Sequence, residues 1–171
     1  ADLLALMARE RATHLLCYVG FARALCGHPG AVAAFAGLRA LQIYGDVIGG
    51  ADVATLRGVL PATAEIHAMY GATEFNMVAG AVVPAATDRT IARLPLGRPY
   101  PGTEIWLRAA GEPAGAAPEG ELYMGGPRVT VGYWRDAAAT RARMVPHPDD
   151  PARALFATGD LVRLRPDGML D

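Results

Sequence analysis

The sequence has 171 residues, 52% of them hydrophobic and 19% charged, with a net charge of −1, enough to bury a sizeable core in one domain or two small subdomains. All 16 basic residues are arginine, and with neither lysine nor serine the chain excludes a serine nucleophile, a Schiff-base lysine and a Gly-Lys-Ser/Thr phosphate loop. Scattered arginines on a near-neutral chain argue against a nucleic-acid surface, and apolar stretches such as 78–86 are interrupted before they could cross a bilayer.

The N-terminus, Ala1-Asp2-Leu3-Leu4, lacks an initiator Met and a basic n-region, so it reads as a cut inside a longer protein and not as a signal peptide. Leu3, Leu4, Leu6 and Met7 after Asp2 predict a capped amphipathic helix. Leu15-Leu16-Cys17-Tyr18-Val19 predicts a buried strand, followed by an Ala-rich helical stretch near 21–36 and an extended run from Leu38 to Tyr44. A turn through Gly45 to Gly50, a helix opening at Asp52 and a strand from Ala64 to Met69 complete a β/α alternation. Helical crossovers between short apolar strands imply a mostly parallel sheet with ligands at its carboxyl ends, where Tyr70-Gly71-Ala72-Thr73-Glu74 lies.

The pattern changes after the stretch 84–95. Short β-type runs at 103–108, 121–124, 129–134 and 155–165, separated by Pro and Gly turns, predict a small antiparallel barrel or sandwich. The expected organisation is therefore α/β, with a mostly parallel sheet and helices over 1–94 and a small, distorted antiparallel β-barrel subdomain over 95–171. The Ala-Gly-Pro-rich segment 109–118 reads as a loop, and Arg165-Pro166-Asp167-Gly168 as a turn into Met169-Leu170-Asp171.

Three stretches could carry chemistry. Tyr70-Gly71-Ala72-Thr73-Glu74 offers a ring to stack on a base, a glycine admitting a phosphate to the backbone, a hydroxyl for a phosphoryl oxygen and a carboxylate for Mg²⁺. Taken alone it reads better as a strand-to-loop turn with a surface glutamate. In Phe156-Ala157-Thr158-Gly159-Asp160-Leu161-Val162-Arg163, an aspartate after glycine can accept two hydrogen bonds from a ribose diol. The third, Gly120-Glu121-Leu122-Tyr123-Met124-Gly125-Gly126 with Val131-Gly132-Tyr133-Trp134, reads as strands with glycine corners. Cys17 and Cys26 form no disulfide framework or Cys-x-x-Cys pair, which implies a reducing, cytoplasmic setting with Cys17 as a buried hydrophobe. His14, His28, His67 and His147 show no metal-ligand spacing and read as strand, loop or surface residues. Arg141 and Arg143 read as a solvated face.

In this order, together with Leu96-Gly97-Arg98-Pro99, these stretches resemble the adenylate-forming superfamily, most closely adenylation domains of nonribosomal peptide synthetases, over nearly the whole chain. The resemblance implies part of the large N-terminal domain of such an enzyme. It implies that Tyr70, with Gly71, packs on adenine, Thr73 contacts the α-phosphate, Glu74 binds Mg²⁺, Asp160 holds the ribose, and Gly45-Asp46 lies beside the base. Thr73 and Glu74 are then the catalytic candidates, and Leu16, Gln42, Tyr44, Met69, Met77 and Val78 line the acyl pocket. For Leu16 and Val78 an ordinary core role is equally consistent.

The implied reaction joins a carboxylic acid, most simply an amino acid with an apolar side chain, to ATP, giving acyl-AMP and pyrophosphate. The acyl group then passes to the phosphopantetheine thiol of a carrier-protein domain, with neighbouring synthetase domains as further partners. The sequence departs from the family at Ala68 (often Asn), Ala72 (often Pro), Thr130-Val131 (usually Ala-Arg) and Tyr44 (often small). The family's phosphate loop, ammonium-binding aspartate and catalytic lysine are absent from these residues, so the chain alone is expected to be inert. An acyl-CoA ligase and a noncatalytic adenylation-like scaffold are the alternatives.

Overall fold

The computed structural model of the chain describes residues 2–109, 111 and 117–171. They divide into two compact units, the first formed by residues 1–70 and 81–95 and the second by 71–80 and 96–171.

In the first unit β1 (His14–Tyr18), β2 (Ala40–Tyr44) and β3 (Glu65–Ala72) pair in parallel, with His14 opposite Ala40 and Ala40 opposite Glu65. The helices are α1 (Asp2–Glu10), α2 (Val19–Cys26), α3 (Ala31–Phe35) and α4 (Gly50–Arg57). Apolar residues at helical spacing, Leu4 and Met7 in α1 and Val19, Ala22 and Leu25 in α2, join Cys17, Leu41, Ile43, Ile66 and Ala68 of the strands in one core. Side chains alternate along each strand, so the opposite face of the same strands carries Leu16, Tyr18, Gln42, Tyr44, His67 and Met69, all exposed or half-buried. The helical stretch expected over 21–36 is two helices. Pro29 has no N–H to continue the ladder, and the Gly30 N–H is satisfied instead by Nδ1 of His28 at 3.0 Å. Helix α4 begins two residues before Asp52, which lies in its first turn and accepts the Gly49 N–H at 2.9 Å. Arg23 of α2 grips the same carboxylate through Nε at 2.6 Å and Nη2 at 2.9 Å, and this bond is the largest cause holding Asp52 below the ordinary carboxylate range.

In the second unit β4 (Asn76–Val82), whose residues 76–80 belong here, pairs antiparallel with the short β5 (Arg98–Pro99), Gly80 lying opposite Arg98. A four-stranded antiparallel sheet follows, ordered β6-β7-β9-β8 from β6 (Glu104–Arg108), β7 (Glu119–Gly125), β8 (Met144–Pro146) and β9 (Ala154–Arg163). The small antiparallel subdomain expected here is this sheet, which among the described residues does not close into a barrel; its β8 edge is three residues long and ends in a proline that donates no ladder bond. The run 129–134, expected to be extended, is a loop. Helix α5 (Ala137–Arg143) follows it, capped by Asp136, whose Oδ1 accepts the Ala139 N–H at 2.8 Å. The turn at Arg165 forms as expected, with the Gly168 N–H donating to Arg165 O at 2.9 Å. Most of the loop expected over 109–118 lies outside the described residues.

His147, expected as a strand, loop or surface residue, follows β8 in a loop but is buried, and its polar atoms are satisfied. The Asp149 N–H donates to Nδ1 at 3.1 Å, which leaves the proton on Nε2 for Glu104 at 3.2 Å. Glu104 also pairs with Arg153, the main cause of its lowered pKa.

Two outcomes follow from this packing. At Gly97 (φ +102°) a Cβ would lie 2.1 Å from the Gly80 carbonyl carbon, which belongs to backbone and cannot swing aside. Gly97→Ala should therefore destabilise the second unit by about 2 kcal/mol or more, read as a lowered denaturation midpoint. Asp52→Ala should cost about 1 kcal/mol at neutral pH, mostly through the lost cap, because the half-exposed Arg23 is screened by solvent. The sign follows from the depressed pKa: Asp52 stabilises the fold above the unfolded-state value near ~4 and ceases to do so as pH falls through its folded value. The difference between wild type and variant in thermal melts should accordingly shrink on acidification, and a constant difference from pH 7 to pH 3 would contradict this account.

Candidate functional site

The sequence candidates fall on both units. On the first, Leu16 lies directly opposite Gln42, and Tyr18 opposite Tyr44, all on the sheet face turned away from the core. Met69 follows on the same face of β3 by alternation. Leu16 is 52% exposed, so the core reading is excluded for it. Tyr18, which sequence reasoning passed over, stacks on Tyr44 with ring centroids 4.6 Å apart. Its ring also lies against Gly45, where a Cβ would come within 2.3 Å of Cδ1. The aromatic pair thus roofs the carboxyl ends of β1 and β2, and only a residue without a side chain fits beneath it. Exposed Asp46 accepts its neighbour Val47's N–H at 2.7 Å and faces Arg23 Nη1 at 3.5 Å, so the acidic turn is braced by the arginine that holds α4. Tyr70 is half-buried near the end of β3.

The second unit carries Gly71, Thr73, Glu74, Met77, Val78 and Asp160. Gly71 was expected to admit a phosphate. The space its missing side chain leaves is taken by the chain itself, since a Cβ would lie 2.2 Å from Asn76 O in the returning strand. Thr73 is exposed at the tip of this hairpin and Glu74 is half-buried. Val78 is 2% exposed, a core residue whose carbonyl accepts the Tyr100 N–H at 2.8 Å, while Met77 beside it is half-buried.

Glu74 is held twice by the loop 130–133. The Thr130 N–H donates to its main-chain carbonyl at 2.7 Å, and the Tyr133 hydroxyl donates to Oε1 at 2.8 Å. Oε2 has no hydrogen-bond partner among the described residues. The bond to Glu74 is the largest cause raising the Tyr133 pKa, with desolvation and the carboxylate charge adding to it and Arg143 opposing, so the phenol stays a donor at neutral pH. Thr130 shapes the loop by accepting the Gly132 N–H at 3.2 Å, a role the more common alanine could not play. The Gly-Tyr-Trp run, read from sequence as structural, thus carries the hydroxyl that is bonded to this carboxylate. Its signal was present as a motif, but nothing in the spacing of 133 and 74 indicated contact.

Asp160 sits in a bulge of β9. Glu121 pairs with Leu161 and Tyr123 with Ala157, so one β7 residue faces three in β9. The Thr158 hydroxyl fills the missing rung, donating to Leu122 O at 2.9 Å and accepting the Asp160 N–H at 3.0 Å. Gly159 (φ +83°) supplies the left-handed turn that carries exposed Asp160 out of the sheet. Arg143, expected to be merely solvated, donates to Ala157 O at 3.2 Å beside this bulge. Buried Phe75 and Phe156 pack with centroids 5.8 Å apart, tying the residue after Glu74 to the strand that bears Asp160.

Glu74 suits a magnesium ion held jointly with phosphates, since a hard cation that keeps waters is commonly bound by one or two carboxylates plus substrate phosphates. No cluster of three or more His, Cys, Asp or Glu able to hold a metal unaided occurs among the described residues. Cys17 is buried and its thiol is pushed up by desolvation, which keeps it unreactive. No helix among the described residues is long and apolar enough to cross a membrane.

The bulge predicts its own test. Thr158→Val keeps the shape but leaves the buried Leu122 carbonyl without its donor, so stability should fall by about 1–2 kcal/mol in chemical denaturation.

The family model for AMP-binding enzyme matches residues 1–134. A plipastatin synthase of Bacillus subtilis is 34% identical over 131 residues, covering 74% of this chain and 5% of that protein. Chondramide synthase cmdD of Chondromyces crocatus is 32% identical over 140 residues, covering 78% of this chain and 4% of that protein. The chain thus spans about a twentieth of the length of these curated relatives. Among solved structures, CmiS6 superposes with a TM-score of 0.84 at 31% identity, over 98% of this chain and 41% of that one. PA1221, described as an NRPS protein containing adenylation and PCP domains, superposes at 0.82 with 26% identity, over 99% of this chain and 34% of that one. The chain belongs to the AMP-binding enzyme family and carries part of an adenylation domain.

Proposed function

We propose that this chain supplies part of the nucleotide and acid site of an ATP-dependent adenylate-forming ligase of the nonribosomal peptide synthetase type, acting in the cytoplasm on an amino acid or related carboxylic acid. The observation that carries the reading is the second unit's arrangement around Glu74. A carboxylate with one oxygen held sits on a segment packed, through Phe75 and Phe156, to the bulge that projects Asp160.

In this reading the substrate carboxylate oxygen attacks the α-phosphorus of ATP. The bond from that phosphorus to the bridging oxygen breaks, and pyrophosphate leaves with the electron pair. A carrier phosphopantetheine thiolate then attacks the acyl carbon and AMP departs. Asp160 accepts hydrogen bonds from the ribose hydroxyls, Tyr70 and the Gly45-Asp46 turn flank the base, and the Thr73 hydroxyl donates to an α-phosphoryl oxygen. Glu74 holds the magnesium ion, whose charge offsets that of the phosphates when bound. On the first unit Leu16, Gln42, Tyr44 and Met69 face the acid, and on the second Met77 does so, while Val78 is a core residue. The Tyr18 and Tyr44 rings shorten that pocket. Such chemistry depends on positioning and charge neutralisation, and with no lysine among its 171 residues the chain lacks a mobile ammonium for the phosphates.

The test is ATP–pyrophosphate exchange by the full-length protein that carries this chain, screened against a panel of carboxylic acids. Wild type should exchange with at least one acid, Asp160→Ala and Glu74→Gln should each lower the rate by about 100-fold or more, and the isolated 171-residue chain should show none. A folded full-length protein that binds no nucleotide and exchanges with no acid would favour the scaffold alternative.

A further inference from the structure

Glu74 has three rotatable side-chain bonds and a charge that must point one way to meet a cation. The backbone of Tyr133 is also fixed by contacts that do not involve the Glu74 side chain. The Tyr133 N–H donates to Thr140 Oγ1 at 2.9 Å, that hydroxyl donates to Asp136 O at 2.8 Å, and the Asp136 carboxylate caps α5. The phenol is thus a donor held in place by a short helix and its cap. The Glu74 backbone is bound by the same loop at Thr130, so the carboxylate is tied at both ends of its residue.

We infer that Tyr133 is a positioning residue for Glu74: its phenol occupies Oε1 and leaves Oε2 to the divalent cation that accompanies the nucleotide phosphates. The inference rests on the reading of Glu74 given above. It follows from geometry and hydrogen-bond capacity. A carboxylate with one oxygen bonded to a fixed donor has fewer orientations to lose when metal arrives, and partners of this kind typically alter metal affinity 10- to 100-fold. Thr140 stands one step further out, because its hydroxyl places the Tyr133 backbone and touches neither Glu74 nor the cation site.

The test measures metal binding without turnover. Mn²⁺ affinity is read by electron paramagnetic resonance on the full-length protein with α,β-methylene-ATP, whose α–β linkage cannot be cleaved. Wild type, Tyr133→Phe, Thr140→Val and Glu74→Gln are compared, each first checked by circular dichroism and thermal melting. Tyr133→Phe, which removes one hydroxyl, should weaken Mn²⁺ binding about tenfold, and Thr140→Val should weaken it by a smaller factor in the same direction. Binding of the nucleotide analogue without metal should be unchanged, an outcome that a general packing defect would not give. In turnover assays the Mg²⁺ requirement should rise by the same factor while the rate at saturating Mg²⁺ changes less than about twofold. Equal or tighter Mn²⁺ binding by Tyr133→Phe, with Glu74→Gln abolishing it, overturns the positioning role and leaves Glu74 as the ligand. If Glu74→Gln binds Mn²⁺ as wild type does, the reading of Glu74 itself fails. If Tyr133→Phe does not fold, Thr140→Val decides, and unchanged affinity there overturns the inference.

Discussion

The second unit depends on how one short segment, Gly71 to Asn76, is fastened. Its backbone turns so tightly that Gly71 can carry no side chain, its Phe75 is buried against Phe156, and its Glu74 is bonded at carbonyl and carboxylate by the loop 130–133. The last two contacts join residues far apart in sequence, and the segment so fastened presents exposed Thr73 and Asn76 and half-buried Glu74. A flexible loop bearing the same residues would expose the same groups with no fixed direction, and phosphoryl chemistry responds to direction.

Strain and apparent irregularity in this unit have local causes. The bulge in β9 looks like a defect in the ladder, yet the Thr158 hydroxyl replaces the missing rung and Gly159 absorbs the left-handed turn. Asp160 thereby leaves the plane of the sheet at the cost of one bond that the threonine makes good. The Thr130-Val131 pair acts in the same way, with Thr130 folding back on Gly132 so that Tyr133 is delivered to Glu74.

In the first unit the governing constraint is the two-residue alternation of parallel strands. Committing Cys17, Leu41, Ile43, Ile66 and Ala68 to the core forces Leu16, Tyr18, Gln42, Tyr44 and Met69 onto the other face. A shift of register by one residue would exchange the two sets and bury Gln42, so the stability of the core and the composition of the open face are set by one choice. The tyrosine pair over Gly45 then narrows what that face can receive.

By itself the amino-acid sequence determined the β/α alternation of the first half, the Pro-Asp-Gly turn near the end and the motifs that mark the family, because helical and strand periodicity and turn chemistry are local properties of the chain. It also excluded a lysine or serine of its own from any reaction. It did not settle whether the second sheet closes, and it missed the break at Pro29 and helix α5. Sheet closure depends on which edges meet, and the short helix α5 follows a Gly-Tyr-Trp run whose residue types suit a strand equally well. Only the tertiary structure separated Leu16 from Val78, one open and one core, since both are apolar residues in apolar strands. It alone joined Tyr133 to Glu74 across 59 positions, because hydrogen bonds between distant residues leave no periodic trace in a single sequence.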